Sequence, residues 1–285
     1  MTDMKSKVVI VTGGAAGIGK ATALRFGQAG ATVAVWDMSG QAGQAVAAEI
    51  AAAGGEAAFW QVNVADAASV DAGMDAVVAR WGRVDVLVNN AGIVRDGLLV
   101  KWKEGKLAGT LSDEAWDAVI DVNLKGPFLC TRAAVPHMIA QGGGVVLSTS
   151  SVVGLYGNFG QTNYSSAKMG LIGMMNTLKL EGAKYNIKVN TVAPVEASRL
   201  TEDVMPPEMF QKMQPEFVSG LVLFYCSEAC QETGRVINAA AGFYSRAAIV
   251  TGAGAIVGDG KTPPSVEDIR DNWKKINALH GATEM

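Results

Sequence analysis

The sequence predicts an α/β protein in which a doubly wound parallel sheet carries helices on both faces. Three observations point there. Short apolar runs, β-branched and often unbroken by polar residues, alternate with longer Ala-rich or amphipathic stretches. Unbroken strands suit a sheet covered on both sides, and strand–helix alternation marks parallel pairing. The first strand runs into the turn Thr12-Gly13-Gly14-Ala15-Ala16-Gly17-Ile18-Gly19, and a helix follows. Finally, 285 residues, 49% of them hydrophobic, suffice for one large α/β core or two small ones.

In chain order, strands are expected at 7–12, 31–36, 57–62, 84–88, 144–149, 187–192 and 234–238. Helices are expected at 18–29, 40–53, 66–81, 112–140, 164–184 and 215–228. Right-handed crossovers then place a ligand crevice at the carboxyl ends of the strands. Two stretches break the alternation. Residues 95–111, with Lys101, Lys103, Gly105 and Lys106, read as a loop or small hairpin near that crevice. Beyond about 242 the chain is Gly-rich, is marked by Pro263-Pro264, and offers a helix from Ser265 to about Leu279. Ser265 and Asp268 resemble a capping box in which Asp replaces the usual Glu or Gln. The expected organisation is a domain over 1–245 that includes the substrate pocket, and an extension over 246–285 packed on it or on a neighbouring subunit.

A net charge of −3 gives no reason to expect nucleic acid or an anionic membrane as partner. No apolar run reaches a membrane-spanning length of ~18 residues. No apolar signal core or Arg-rich transit segment precedes the first strand, so a cytoplasmic location is expected. Cys130, Cys226 and Cys230 read as reduced core thiols, and no metal site is expected.

The glycine turn has the spacing Gly-x-x-x-Gly-x-Gly over Gly13, Gly17 and Gly19. Glycines let a backbone approach a pyrophosphate closely, and the helix amino terminus offers N–H groups and a positive dipole end. A plain tight turn is the alternative. The second strand leads to Asp37, whose carboxylate can accept both hydroxyls of an adenosine ribose and repel a 2′-phosphate. No Lys or Arg follows it or lies in the glycine turn, which favours NAD over NADP. Asn63-Val64 and Asn89-Asn90-Ala91-Gly92 end the third and fourth strands, where small and amide residues can serve adenine and admit a ribose. Asn123 lies within a long helical stretch. Such an Asn faces solvent or back-bonds to its own chain, or it bends the helix and holds a water.

Ser151, Tyr164 and Lys168 complete the pattern. Tyr164 and Lys168, four apart on a helix, share one face. A cation beside a phenol favours the phenolate, lowering a pKa that starts near ~10. Such a phenol can exchange a proton with an alcohol or carbonyl oxygen near neutral pH, and a nearby serine hydroxyl can hold that oxygen. A merely solvated helix face is the alternative for the pair alone.

In this order and spacing the motifs resemble the short-chain dehydrogenase/reductase superfamily. The resemblance runs from about residue 5 to 245 and includes Asn190-Thr-Val-Ala-Pro194. It implies a Rossmann-type sheet of seven parallel strands and a catalytic tetrad: Tyr164 as acid/base, Ser151 holding the oxygen, Lys168 binding the ribose, and Asn123 anchoring a water. It implies NAD contacts at Gly13, Gly17, Ile18, Gly19, Asp37, Met38, Asn63, Val64, Asn90, Ala91, Gly92, Tyr164, Lys168, Pro194, Val195 and Ser198. Val195 stands where many relatives have glycine.

Three segments, Gly154–Tyr164, Asn190–Pro206 and Val266–Trp273, look like the dehydrogenase part of the peroxisomal multifunctional enzyme of β-oxidation and its bacterial relatives. That resemblance implies (3R)-hydroxyacyl-CoA oxidation with NAD⁺. Tyr156, Phe159, Leu200, Val204 and Met205 could wall an apolar group. Lys101, Lys103 and Lys106 could meet CoA phosphates or simply face water. The alternatives are a steroid or other hydrophobic alcohol as substrate, a 3-oxoacyl thioester reductase using NADPH, and an NAD-binding sensor without catalysis. The resemblance implies pairing across the helices at 112–140 and 164–184, whose apolar residues include Leu171, Ile172, Met174, Met175 and Leu178, giving a homodimer or homotetramer. Ordinary core packing of those helices is the other reading.

Overall fold

The computed structural model describes residues 3–195 and 213–284. The main sheet has eight strands: β1 (Val8–Thr12), β2 (Thr32–Asp37), β3 (Glu56–Gln61), β4 (Val86–Asn89), β7 (Gly144–Thr149), β8 (Ile187–Pro194), β9 (Val236–Ala240) and β10 (Phe243–Ala247). Their order across the sheet is β10-β9-β8-β7-β4-β1-β2-β3. The run from β3 to β9 is parallel. The expected seven strands are all present, and β10 is an eighth that corrects that number. Ala241 (φ 47°) and Gly242 (φ 86°) turn the chain in two residues, a connection open only to an antiparallel neighbour.

Helices α1 (Gly17–Gln28), α2 (Gly40–Ala52), α3 (Ala67–Trp81), α4 (Asp113–Ile120), α5 (Gly126–Ala140), α6 (Val152–Tyr156), α7 (Thr162–Gly182) and α8 (Pro215–Cys226) connect or flank these strands. Every residue of β1 is buried, as its unbroken apolar run demands. Each fully buried Val or Ile contributes roughly 1.5–3 kcal/mol. Leu171, Ile172 and Met175 of α7 are buried, whereas Met174 and Leu178 are only partly covered. All three cysteines are free and buried. Burial pushes the Cys130 thiol up to about 12 and raises Cys226 as well, so both stay protonated.

The helix expected over 112–140 is broken into three. Asp121–Lys125 forms a π-helical turn between α4 and α5, and Asn123 sits in it. The stretch 95–111 holds a hairpin of β5 (Val100–Lys103) and β6 (Lys106–Thr110). Glu104 (φ 53°) and Gly105 (φ 75°) make its turn.

Met1–Arg246 and Ala247–Met285 are two compact units. The second contains α9 (Val266–Ile276) and the short pair β11 (Val250–Thr251) and β12 (Thr283–Glu284). A complete capping box starts α9: Ser265 Oγ accepts from Asp268 N at 3.2 Å, and Asp268 accepts from Ser265 N at 2.9 Å. No helix among the described residues is long and apolar enough to cross a membrane.

Candidate active site

The sheet order reverses beside β1, which has β2 on one side and β4 on the other. Chains leave these strands in opposite directions, and a crevice opens at their carboxyl ends. There a cleft of about 210 Å³ is lined by Gly13, Asp37, Met38, Val62, Asn63, Val64, Ala91, Gly92, Ile93 and Val122.

The glycines are there for space. A Cβ on Gly19 would lie 1.9 Å from Gly13 O, and one on Gly13 would lie 2.8 Å from Ala91 Cα. Gly17 has φ 51° and open space where a Cβ would point. It opens α1, whose first turn holds no acidic residue, so the positive helix end is not neutralised locally. Open space above a helix amino terminus fits a pyrophosphate. Ile18 lines a second cleft of about 290 Å³ with Gly17, Val195, Gln214 and Pro215. Pro194 ends β8. Ser198, Leu200, Val204 and Met205 lie outside the described residues.

Asp37 lies at one end of the cleft. Its Oδ2 accepts from Ala15 N at 3.0 Å and its Oδ1 from Ser39 N at 2.9 Å, which fixes the carboxylate beside the glycine turn. The Asn63 Oδ1 accepts from Ala65 N at 3.1 Å, which fixes the amide at the wall of the cleft it lines. Asn90 takes a different task from the one its sequence position suggests. Its Nδ2 donates to Thr12 O (3.2 Å) and Gly13 O (3.3 Å), bracing the turn. Ala91 and Gly92 are the residues of this segment that line the cleft. These groups together fit a dinucleotide.

The chemical end lies on α6, α7 and the π turn. Asn123, fully buried, donates from Nδ2 to Ile93 O (2.8 Å) and Val119 O (3.0 Å) and accepts from Ile93 N at Oδ1 (3.2 Å). The bond to Val119, one turn back, accompanies the widened turn, a device found often at functional sites. Lys168, only 3% exposed, donates from Nζ to Thr149 O at 2.8 Å. A Cβ on Gly92 would lie 2.6 Å from Asn123 Oδ1 and 3.5 Å from Lys168 Nζ, so both groups converge on one glycine.

Lys168 Nζ lies 5.5 Å from the Tyr164 ring centroid. An ammonium there stabilises negative charge developing on the phenol oxygen. Ser151 caps α6, its Oγ accepting from Val153 N at 3.2 Å, which leaves the hydroxyl proton to donate. Helix α6 lies hard against α7. A Cβ on Gly154 would be 2.8 Å from Lys168 Cβ, Ser165 Oγ donates to Val153 O (3.0 Å), and Ser150 Oγ donates to Lys168 O (2.7 Å). The structure thus brings Asn123 and Lys168 together at Gly92, sets Tyr164 beside Lys168, and places Ser151 at the start of the helix packed on α7, a set of groups able to hold an oxygen and move its proton.

Sequence reasoning missed a second polar layer. Gln161 donates from Nε2 to both Asp96 oxygens at 3.0 Å and accepts from Asn158 at 2.9 Å. Asn163, fully buried, donates to Arg95 O (2.9 Å) and Ala115 O (3.2 Å). Three amides within six residues just before Tyr164 were the available signal. Among the described residues no three His, Cys, Asp or Glu side chains cluster as metal ligands.

The family model for the short chain dehydrogenase matches residues 7–205. Peroxisomal multifunctional enzyme type 2 of Drosophila melanogaster is 40% identical over 98% of this chain, which spans about half (46%) of that relative's length. The solved full-length structure of that enzyme superposes with a TM-score of 0.84 and 36% identity, covering 99% of this chain and 47% of its own. A short chain dehydrogenase from Mycobacterium avium gives a TM-score of 0.82 at 36% identity, with 97% of each chain covered. The 3-oxoacyl-[acyl-carrier-protein] reductase FabG of Thermotoga maritima is 42% identical over 82% of this chain and 96% of its own.

Proposed function

The chain belongs to the short-chain dehydrogenase family, oxidoreductases acting on CH–OH groups, and from that premise we propose that it interconverts a 3-hydroxyacyl-CoA and a 3-oxoacyl-CoA with NAD. The convergence of Asn123 and Lys168 on Gly92, beside Tyr164 and at the end of the cleft that begins at Asp37, carries the reading. A bound nicotinamide supplies the hydride acceptor. Ser151 donates a hydrogen bond to the carbinol oxygen and Tyr164 takes its proton. Lys168 stabilises the phenolate and meets the ribose hydroxyls. Asp37 supports NAD, because a 2′-phosphate beside its fixed carboxylate meets like charge. The acyl-CoA assignment draws on the Drosophila and Thermotoga relatives and on exposed apolar side chains near Tyr164, among them Tyr156 (73% exposed) and Phe159 (80%).

One panel tests this: straight-chain 3-hydroxyacyl-CoA esters, steroidal alcohols and free alcohols, each with NAD⁺ and NADP⁺, followed by reduced-cofactor absorbance. An acyl-CoA ester should give the highest kcat/KM, with NAD⁺ preferred about tenfold or more, each tenfold corresponding to ~1.4 kcal/mol of discrimination. A steroidal alcohol in first place, or NADP⁺ preferred, overturns the respective half. Tight NAD⁺ binding without turnover across the panel would make the chain a sensor.

We propose further that the chain self-associates through α5 and α7. Between them runs an apolar groove of about 330 Å³ lined by Phe128, Val135, Pro136, Met174 and Leu178, with Phe128 nearly half exposed. Apolar surface of that kind marks interaction sites, and a two-fold pairing would cover it with its own copy. Light scattering should give two or four times the chain mass. A monomer at tens of micromolar concentration would remove the idea.

A further inference from the structure

Between the hairpin β5–β6 and the catalytic helix lies a polar joint that the tetrad does not use. Shortly after Ile93, which Asn123 holds, three residues in a row meet α7 or the loop before it. Arg95 O accepts from Asn163, Asp96 accepts twice from Gln161, and Gly97 N donates to Gly160 O at 2.8 Å. Gln161 is itself buried and fixed from behind by Asn158. Every donor and acceptor of this joint is therefore directional, and it spans 65 positions of sequence.

Large apolar side chains stand exposed on both sides of it. Leu99, Val100, Trp102 (67% exposed) and Leu107 are on the hairpin side, and Tyr156 and Phe159 are on the other. Gly160, the neighbour of Phe159, accepts from Gly97, which lies three residues before β5. Each of the two segments thus carries its own apolar wall, and the polar joint fixes one segment relative to the other.

We infer that the Asp96–Gln161 pair is a positioning clamp that fixes the β5–β6 hairpin relative to the catalytic helix α7, and that the apolar walls on the two segments receive the apolar chain of the substrate. This rests on the acyl-CoA reading above. The clamp governs how tightly the acyl chain is held and leaves proton transfer at Tyr164 alone. Interactions equal in ground and transition states change KM and spare kcat.

The chemistry of the pair permits a polarity swap. Gln161→Glu sets two carboxylates face to face, whereas Asp96→Asn with Gln161→Glu restores the bond with donor and acceptor exchanged. In that double variant the carboxylate at position 161 keeps a second oxygen that still accepts from Asn158. Q161E should raise KM for a long-chain 3-hydroxyacyl-CoA by about tenfold, the KM-only signature of lost uniform binding. KM for the four-carbon ester should change less than about threefold, since short chains barely reach the walls. KM for NAD⁺ and kcat should hold. The double variant should bring the long-chain KM back to within about threefold of the parent.

Should Q161E fail to fold, Asp96→Ala, at an exposed position, carries the same comparison. Equal changes in both esters, a fall in kcat with KM fixed, or no rescue in the double variant overturns the clamp. If the parent turns over no acyl-CoA, the substrate reading has failed instead. The clamp is then judged by the same variants on long and short members of whichever alcohol series the enzyme oxidises.

Discussion

Tyr164→Phe should retain the fold and bind NAD⁺ normally while losing about 10²–10⁴-fold in kcat, the usual contribution of a general acid or base. The substitution deletes one oxygen and keeps the ring that Lys168 Nζ faces at 5.5 Å. Lys168 keeps its bond to Thr149 O, and Asn123 keeps its three bonds, so cofactor geometry has no reason to change. What disappears is the group that exchanges the substrate proton. Ser151 cannot replace it, because a hydroxyl in the neutral range donates or accepts a hydrogen bond without holding the charge. The measurement is steady-state turnover with NADH absorbance, beside NAD⁺ affinity by fluorescence and the thermal midpoint. Parental kcat in a folded, NAD⁺-binding variant would end the mechanism.

How much of this was legible beforehand follows from the range of the interactions. Strands β1, β2, β4 and β7 were readable because each is a short run of β-branched or other apolar residues buried on both faces, and burial leaves its mark residue by residue. Strand β10 was not. Phe243-Tyr-Ser-Arg-Ala247 sits at the sheet edge, is largely exposed, and pairs because Ala241 and Gly242 turn the chain back. The pairing of Tyr164 with Lys168 on one helix was readable from their spacing, and motif order set Asn123 and Ser151 beside them as expectations. The π turn was not, since it depends on which carbonyl each N–H chooses. Asn90 shows the limit of position alone: strand-end placement suggested an adenine contact, and the structure gives its amide to Thr12 and Gly13. The Asp96–Gln161 joint joins partners 65 positions apart, and no local pattern in one sequence records such a pairing.

Gly92→Ala should lose about tenfold or more in kcat and about 1–3 kcal/mol of stability, as overpacking at a tight site does. The backbone is not the obstacle, because Gly92 does not adopt a positive φ. Space is. The added methyl would stand 2.6 Å from Asn123 Oδ1 and 3.5 Å from Lys168 Nζ. Asn123 cannot step aside cheaply: it is fully buried and makes three bonds to Ile93 and Val119, each worth roughly 0.5–1.5 kcal/mol net. If it yields, the π turn loses its brace and the polar group facing Lys168 moves, so the loss falls on kcat. If Gly92 yields, the cleft wall shifts and KM for NAD⁺ rises. The kcat–KM split therefore reports which side moves. Gly220→Ala, in α8 with nothing within 4 Å of the new methyl, is the control. It should gain about 0.5–1 kcal/mol from helix propensity and leave turnover unchanged. A G92A enzyme with parental kcat, KM and thermal midpoint would show that the close approach of Asn123 and Lys168 to this glycine is not needed for catalysis.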